Sequence, residues 1–131
     1  MPYSFRVSRT HRVGVIFFED VVTGSLIVEA GLDLLAHADW QPGFDEVWDL
    51  RLITEFAISP EDMKAIVTFE ETYAERIGHG RACVISNRFY VRALHRLFGA
   101  LTRNRGRAQL TCATHEEAAT TLGIDPTVLA P

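Results

Sequence analysis

No apolar run in the 131-residue chain approaches the ~18 residues needed to span a bilayer. The longest, Val13–Phe18, is strand-sized and follows a basic patch too close to the start for a secretory signal. A soluble, cytoplasmic protein is therefore expected. Cysteine is scarce, with only Cys83 and Cys112, each in an apolar strand-like run. That excludes a disulfide-dense secreted scaffold, and no close C-x-x-C pair points to a metal. Two small buried thiols are expected instead. Catalytic templates are missing as well: no G-x-S-x-G, no P-loop, no G-x-G-x-x-G and no H-E-x-x-H. His79 in a turn and Cys83 in a strand have no reason to meet as base and nucleophile. His11, His37, His95 and His115 are scattered over expected surface positions. These absences predict a non-catalytic domain without a cofactor. Repeats and low-complexity segments are absent too.

What is present is a single-domain length, an ordinary 47% hydrophobic fraction and an uneven distribution of charge. Residues 1–12 hold Arg6, Arg9 and Arg12 and no acid. Residues 13–75 hold 14 of the 17 acids against only Arg51 and Lys64. Residues 81–107 hold seven arginines and no acid. The chain is nearly neutral but strongly dipolar along its sequence.

Hydrophobic periodicity and turn signals divide the chain into strands and helices. Tyr3–Ser8 reads as an edge strand, Val13–Phe18 as a buried strand, and Thr23-Gly24-Ser25 as the start of a helix reaching about Ala38. Glu46–Leu50 is the third strand. Ser59-Pro60-Glu61-Asp62 opens a second helix with a cap residue, a first-turn proline and two acids favoured by the helix dipole. Gly78-His79-Gly80 stops that helix. Arg81–Ser86 is a fourth strand, Asn87 can cap a third helix to about Arg103, Ala108–Cys112 is a fifth strand, and Thr114 opens a final helix ending at Gly123. The order β-β-α-β-α-β-α-β-α predicts one α/β domain over residues 1–124. Its five-stranded sheet is mostly parallel with helices on both faces, and residues 125–131 form a loose tail.

That order, with Val47-Trp48-Asp49-Leu50-Arg51 before a capped helix, resembles the STAS or SpoIIAA-like (anti-sigma-factor-antagonist-like) domains. Arg81-Ala82-Cys83-Val84-Ile85, Phe89-Tyr90-Val91-Arg92-Ala93-Leu94 and His115-Glu116-Glu117-Ala118 agree with its later elements. The resemblance covers roughly residues 3–122 and is closest to small stand-alone bacterial members of undefined role. It implies a non-enzymatic binding or regulatory module. It also implies a phosphorylatable serine near the start of the second helix, where Ser59 stands. Here Ile58-Ser59-Pro60-Glu61-Asp62 departs from the Asp-Ser-x-Gly-Leu kind of run, and Glu61 and Asp62 would repel a phosphate. Ser59 is therefore expected as a cap first and as a regulatory site second.

Four constellations bear on function. On the third helix, Tyr90, Val91, Leu94, Leu97, Phe98 and Leu101 share a face expected to pack on the sheet. Arg88, Arg92 and Arg96 recur on the other side, either paired with Glu61, Asp62, Glu71 and Glu75 of the second helix or open to an acidic protein, a phosphate or a membrane headgroup. Nucleic acid is disfavoured by the acidic overall charge and the lack of aromatics between the arginines. On the second helix, Glu70 projects from an apolar face and needs a partner such as a strand-end arginine, or else faces a ligand pocket. The first helix carries more apolar residues than one buried face uses, which predicts a homodimer through Leu32 and Leu35. Its stripe of Glu29, Asp33 and His37 is expected to be solvated rather than to hold a metal. A partner-binding module is thus expected, with a carrier for an amphipathic or anionic small molecule as the alternative.

Overall fold

The computed structural model describes residues 2–131. Its elements are β1 Tyr3–Ser8, β2 Val13–Thr23, α1 Gly24–Ala36, β3 Asp45–Ala57, α2 Pro60–Thr72, the single-turn α3 Ala74–Ile77, β4 Ala82–Ile85, α4 Phe89–Leu101, β5 Gln109–Cys112 and α5 His115–Leu122. The strands lie side by side in chain order, with β1–β2 antiparallel and the remaining pairs parallel. Right-handed crossovers that always step the same way place their helices on one face. Accordingly α1, α2 and α4 cover the face that presents Ile16, Phe18, Leu50 and Val84. After the last strand, α5 turns back onto the opposite face and packs on Val13, Val15, Val47, Cys83, Ile85 and Cys112. The period-2 alternation of β2, β3 and β4 thus feeds two separate cores.

The caps are local and specific. Thr23 Oγ1 accepts from Leu26 N, and Thr114 Oγ1 accepts from Glu117 N at 3.1 Å. Ser59 and Asp62 form a reciprocal capping box, with Asp62 N on Ser59 Oγ at 3.1 Å and Ser59 N on Asp62 Oδ2 at 2.9 Å. Asn87 does not cap α4: the N-cap is Arg88, without a side-chain cap bond.

Four further expectations are corrected. First, β2 and β3 run past Phe18 and Leu50, pairing Glu19–Thr23 with Leu52–Ala57 beyond the end of β4. Register shifts between Phe17 and Glu19 and between Asp20 and Val21 break the alternation, which hides this ribbon from a period-2 reading. Second, the tail is docked: Asp125 caps a 3-10 turn over Pro126–Leu129, and Leu129 is fully buried against the α5 core. Arg6 Nη2 secures it by donating to the Val128 carbonyl at 2.7 Å and to the Ala130 carbonyl. Third, Leu35 is 5% exposed and belongs to the core, so it forms no dimer surface. The apolar surplus of α1 is absorbed by α2 of the same chain, which comes so close at Gly31 that a Cβ there would stand 2.6 Å from Phe69 Cζ. Leu32 does reach the surface. Fourth, on α4 only Val91 is fully buried, while Leu94 and Phe98 are half-buried and Tyr90, Leu97 and Leu101 are exposed.

Candidate functional site

On the face beneath α2 and α4, strand register sets Glu46, Ala82 and Gln109 in one row and Trp48, Val84 and Thr111 in the next. Two helices lean over these rows. Met63, Ile66 and Glu70 come from α2, and Val91, Leu94, His95 and Phe98 from α4. Leu94 and Phe98 of α4 pack beside Met63 and Ile66 of α2, and between these helices and the sheet lies an apolar cleft of about 100 Å³. Its walls include Ile27, Leu50, Phe56 and Ile58, and the small Ala82 side chain leaves room on its floor. A volume of that order admits a thin aliphatic chain or one ring rather than a drug-sized ligand.

The inner end of the cleft is polar. Arg107, just ahead of β5, inserts its guanidinium between two buried carboxylates, donating Nη2 to Glu46 Oε2 at 2.9 Å and Nη1 to Glu70 Oε1. Its Nε donates to the Gly80 carbonyl at 3.0 Å. That carbonyl is presented by the Gly78-His79-Gly80 turn, which packs so tightly that a Cβ on Gly80 would run into the Phe44 carbonyl oxygen. Trp48 Nε1 donates to Glu46 Oε1 at 2.9 Å. His95 bridges Thr111 Oγ1 (Nδ1, 2.9 Å) and Gln109 Oε1 (Nε2, 3.0 Å).

Burial pushes the Glu70 carboxyl above the ordinary glutamate range against the opposing pull of Arg107. Burial also draws the His95 imidazole below its usual value. The Arg107 charge is disfavoured by burial, but Glu46 and Glu70 outweigh that cost and hold the guanidinium protonated.

Topology reunites the charges that the sequence keeps apart. Setting β3 beside β4 and close to β5 brings arginines of the acid-free stretch to acids of the preceding one. Arg81 grips Asp45 through Nη2 at 2.8 Å, and Arg107 grips Glu46 and Glu70. The α4 arginines do not pair with the acids of α2. Arg88 donates to the Ile53 and Thr54 carbonyls at 2.6 and 3.1 Å, and Arg92 donates to the Ser86 carbonyl at 3.0 Å. Arg96 is exposed and makes no hydrogen bond among the described residues. Ser59 is a solvent-exposed cap whose hydroxyl is engaged in the capping box.

The α1 stripe is dispersed. Glu29 is exposed, Asp33 accepts from Tyr3 Oη, and His37 Nδ1 accepts from Asp39 N at 3.0 Å. Among the described residues no group of three His, Cys, Asp or Glu is placed to hold a metal ion, and no helix is long and apolar enough to cross a membrane. Cys83 and Cys112 are free and buried, with Sγ atoms 3.2 Å apart on neighbouring strands.

Of the candidate site residues expected from the sequence, the cleft gathers Glu70 alone. Arg107, Glu46 and Gln109 went unassigned, and His95, expected at the surface, lines the cleft instead. The available signal was two acids, Glu46 and Glu70, inside apolar elements, which together require a buried cation.

Among solved structures, the chain superposes on an uncharacterised DUF3478-family protein from Shewanella loihica PV-4, described as having a SpoIIAA-like fold. The TM-score is 0.61 over 92% of this chain and 93% of that one, at 10% sequence identity. The fold is SpoIIAA-like. At that identity the likeness carries the architecture alone. No known family model matches the chain, and no curated protein matches its sequence. A SpoIIAA-like sheet whose strands follow chain order has no topological switch point, so it lacks the crevice at strand ends that open α/β sheets use for ligands. Its cleft lies instead between helices and sheet.

Proposed function

We propose that this domain is a non-catalytic binding protein whose site is the cleft between α2, α4 and the sheet, and that the cleft holds the apolar part of a small amphipathic molecule. The observation that carries this reading is Glu70, 6% exposed, at the inner end of an otherwise apolar cleft. A carboxylate is costly in such a place unless its interactions repay the burial. The polar groups of the floor are bonded mainly to one another, an arrangement suited to orienting a ligand more than to transforming it. Filling the cleft tests this. Ala82→Leu should remove binding of a hydrophobic fluorescent probe while leaving a cooperative thermal transition. Undiminished probe binding by a folded Ala82→Leu protein would sink the proposal.

A second reading follows from the outer side of α4. Phe89 is 85% exposed two turns before the exposed Arg96 on α4, and no acid occurs between Arg76 and His115. This surface suits an acidic protein partner. Phe89→Ser with Arg96→Glu should then abolish capture of that partner at unchanged thermal stability. Arg88 and Arg92, tied to backbone carbonyls, contribute charge to this surface but also brace α4. The homodimer expectation rests on the exposed Leu32 alone, and sedimentation of the wild type at micromolar concentration decides it.

A further inference from the structure

Resting on the cleft reading, we propose that its ligand is headed by a hydrogen-bond donor without negative charge, a primary amine or a hydroxyl on a short aliphatic chain, and that this head meets Glu70. Three observations at the inner end of the cleft lead to this class.

The first is the sum of the charges. Glu46, Glu70 and Arg107 are bonded directly to one another and together carry one negative charge when all are ionised. An ammonium group brings that buried set to neutrality, a carboxylate doubles its imbalance and a doubly charged phosphate triples it. The other groups around Glu70 do not reverse the balance. Both His95 nitrogens are engaged by Thr111 and Gln109, and Arg105 attracts Glu70 more weakly than Arg107 does.

The second is that the arginine is already committed. Arg107 directs one N–H of each nitrogen to a buried acceptor, Nε to Gly80, Nη1 to Glu70 and Nη2 to Glu46, so an anion could reach its two remaining N–H groups only beside two carboxylates.

The third is what stays open. Glu70 gives Oε1 to Arg107, and its Oε2 accepts no hydrogen bond among the described residues. Glu70 is more than nine-tenths buried and lines the cleft. The Gln109 side chain accepts from His95 through Oε1 and keeps its amide N–H groups for a hydroxyl oxygen. The apolar walls beyond take the chain, and the volume of about 100 Å³ keeps it short.

The experiment is calorimetric titration of the full-length protein with hexylamine, hexanol and hexanoate near neutral pH. Hexylamine should bind tightest and hexanoate at least about ten-fold more weakly, as expected for a like charge set against a buried carboxylate. Glu70→Gln, which keeps the shape and a contact to Arg107, should shrink that gap to less than about three-fold. If hexanoate binds as well as hexylamine, this inference is overturned and the cleft reading survives. If hexylamine binding is untouched in Glu70→Gln, the amine sits on the acidic exterior and the inference is equally overturned. If none of the three binds, the cleft reading itself falls. Should Glu70→Gln fail to fold, the wild-type order of the three probes decides, with Ala82→Leu as the filled-cleft control.

Discussion

Arg107 and Glu46 meet 2.9 Å apart across 61 residues of chain, an ion pair sealed under α2 and shared with Glu70. Its worth lies less in the attraction than in what its loss would leave behind. Arg107→Ala strands two carboxylates in a space made for one cation, and breaking a buried pair in this way costs about 3–5 kcal/mol. A urea melt should show the midpoint falling accordingly. A loss below about 1 kcal/mol would mean that water reaches both acids freely.

Glu70 also sets a pH dependence. Its folded carboxyl holds a proton more tightly than the ordinary glutamate at 4.5, because burial outweighs the pull of Arg107. The folded state therefore binds more protons than the unfolded state as pH rises above that value, and stability falls through this window. The groups around it are Arg107, Glu46, Arg105 and His95. Removing the titrating group in Glu70→Gln should make the thermal midpoint of the variant, relative to wild type, climb as pH rises from about 4.5 toward neutrality. A constant offset across that range would refute the assignment.

At α1, two leucines three residues apart should behave oppositely. Leu35→Glu buries a charge among Ala30, Leu34 and Phe69 and should leave no cooperative transition. Leu32→Glu, on exposed surface, should change stability by less than about 0.5 kcal/mol. Circular dichroism melts of the two variants check both expectations. A folded, monomeric Leu35→Glu protein would contradict the core placement.

The thiols of Cys83 and Cys112 are shielded. Burial holds the Cys83 thiol far above the ordinary thiol range, so little thiolate is present at neutral pH. A thiol-reactive disulfide reagent should read close to zero groups in buffer and two in denaturant, matching the two cysteines of the chain. Rapid native labelling would show that β4 and β5 open readily.

The tail gives a truncation test. Leu129→Ala removes a fully buried side chain from the core under α5 and should cost about 2–5 kcal/mol. A denaturant midpoint equal to wild type would mean that the tail is merely resting there.

Strong local patterns carried most of the architecture into view. Ser59-Pro60-Glu61-Asp62 forms its capping box from local residues alone, and the continuous apolar run of Val13–Phe18 fits a strand buried on both faces of its sheet. The β2–β3 ribbon escaped because Glu19, Asp20 and Glu55 read as solvated and the bulges interrupt the alternation. The tail escaped because Leu129 is buried among Val13, Val47 and Leu122, contacts that no local pattern of residues 125–131 announces.

The site was harder to read for a related reason. The projection of Glu70 from an apolar face was legible, since helical geometry alone places it there. Its partner was not, because no periodicity links residue 70 to residue 107. On α4 the wheel grouped Tyr90, Val91, Leu94, Leu97, Phe98 and Leu101 on one face. It could not reveal that only Val91 is fully buried, with Leu94 and Phe98 packed beside Met63 and Ile66 of α2 and Tyr90, Leu97 and Leu101 left at the surface.

Because the strands lie in chain order, each finds its partner in the segment made just before it. A chain emerging from the ribosome can therefore close the β1–β2 hairpin and then lay each new βα unit on an existing edge, with no pairing left waiting for a segment still to be made. The long-range ties reach back instead to segments made earlier: Arg107 to Glu46 across 61 residues, His115 to Arg51 across 64, and the carbonyls of Val128 and Ala130 to Arg6 across 122 and 124. The later segments of the domain thus latch a sheet that the earlier ones can already build.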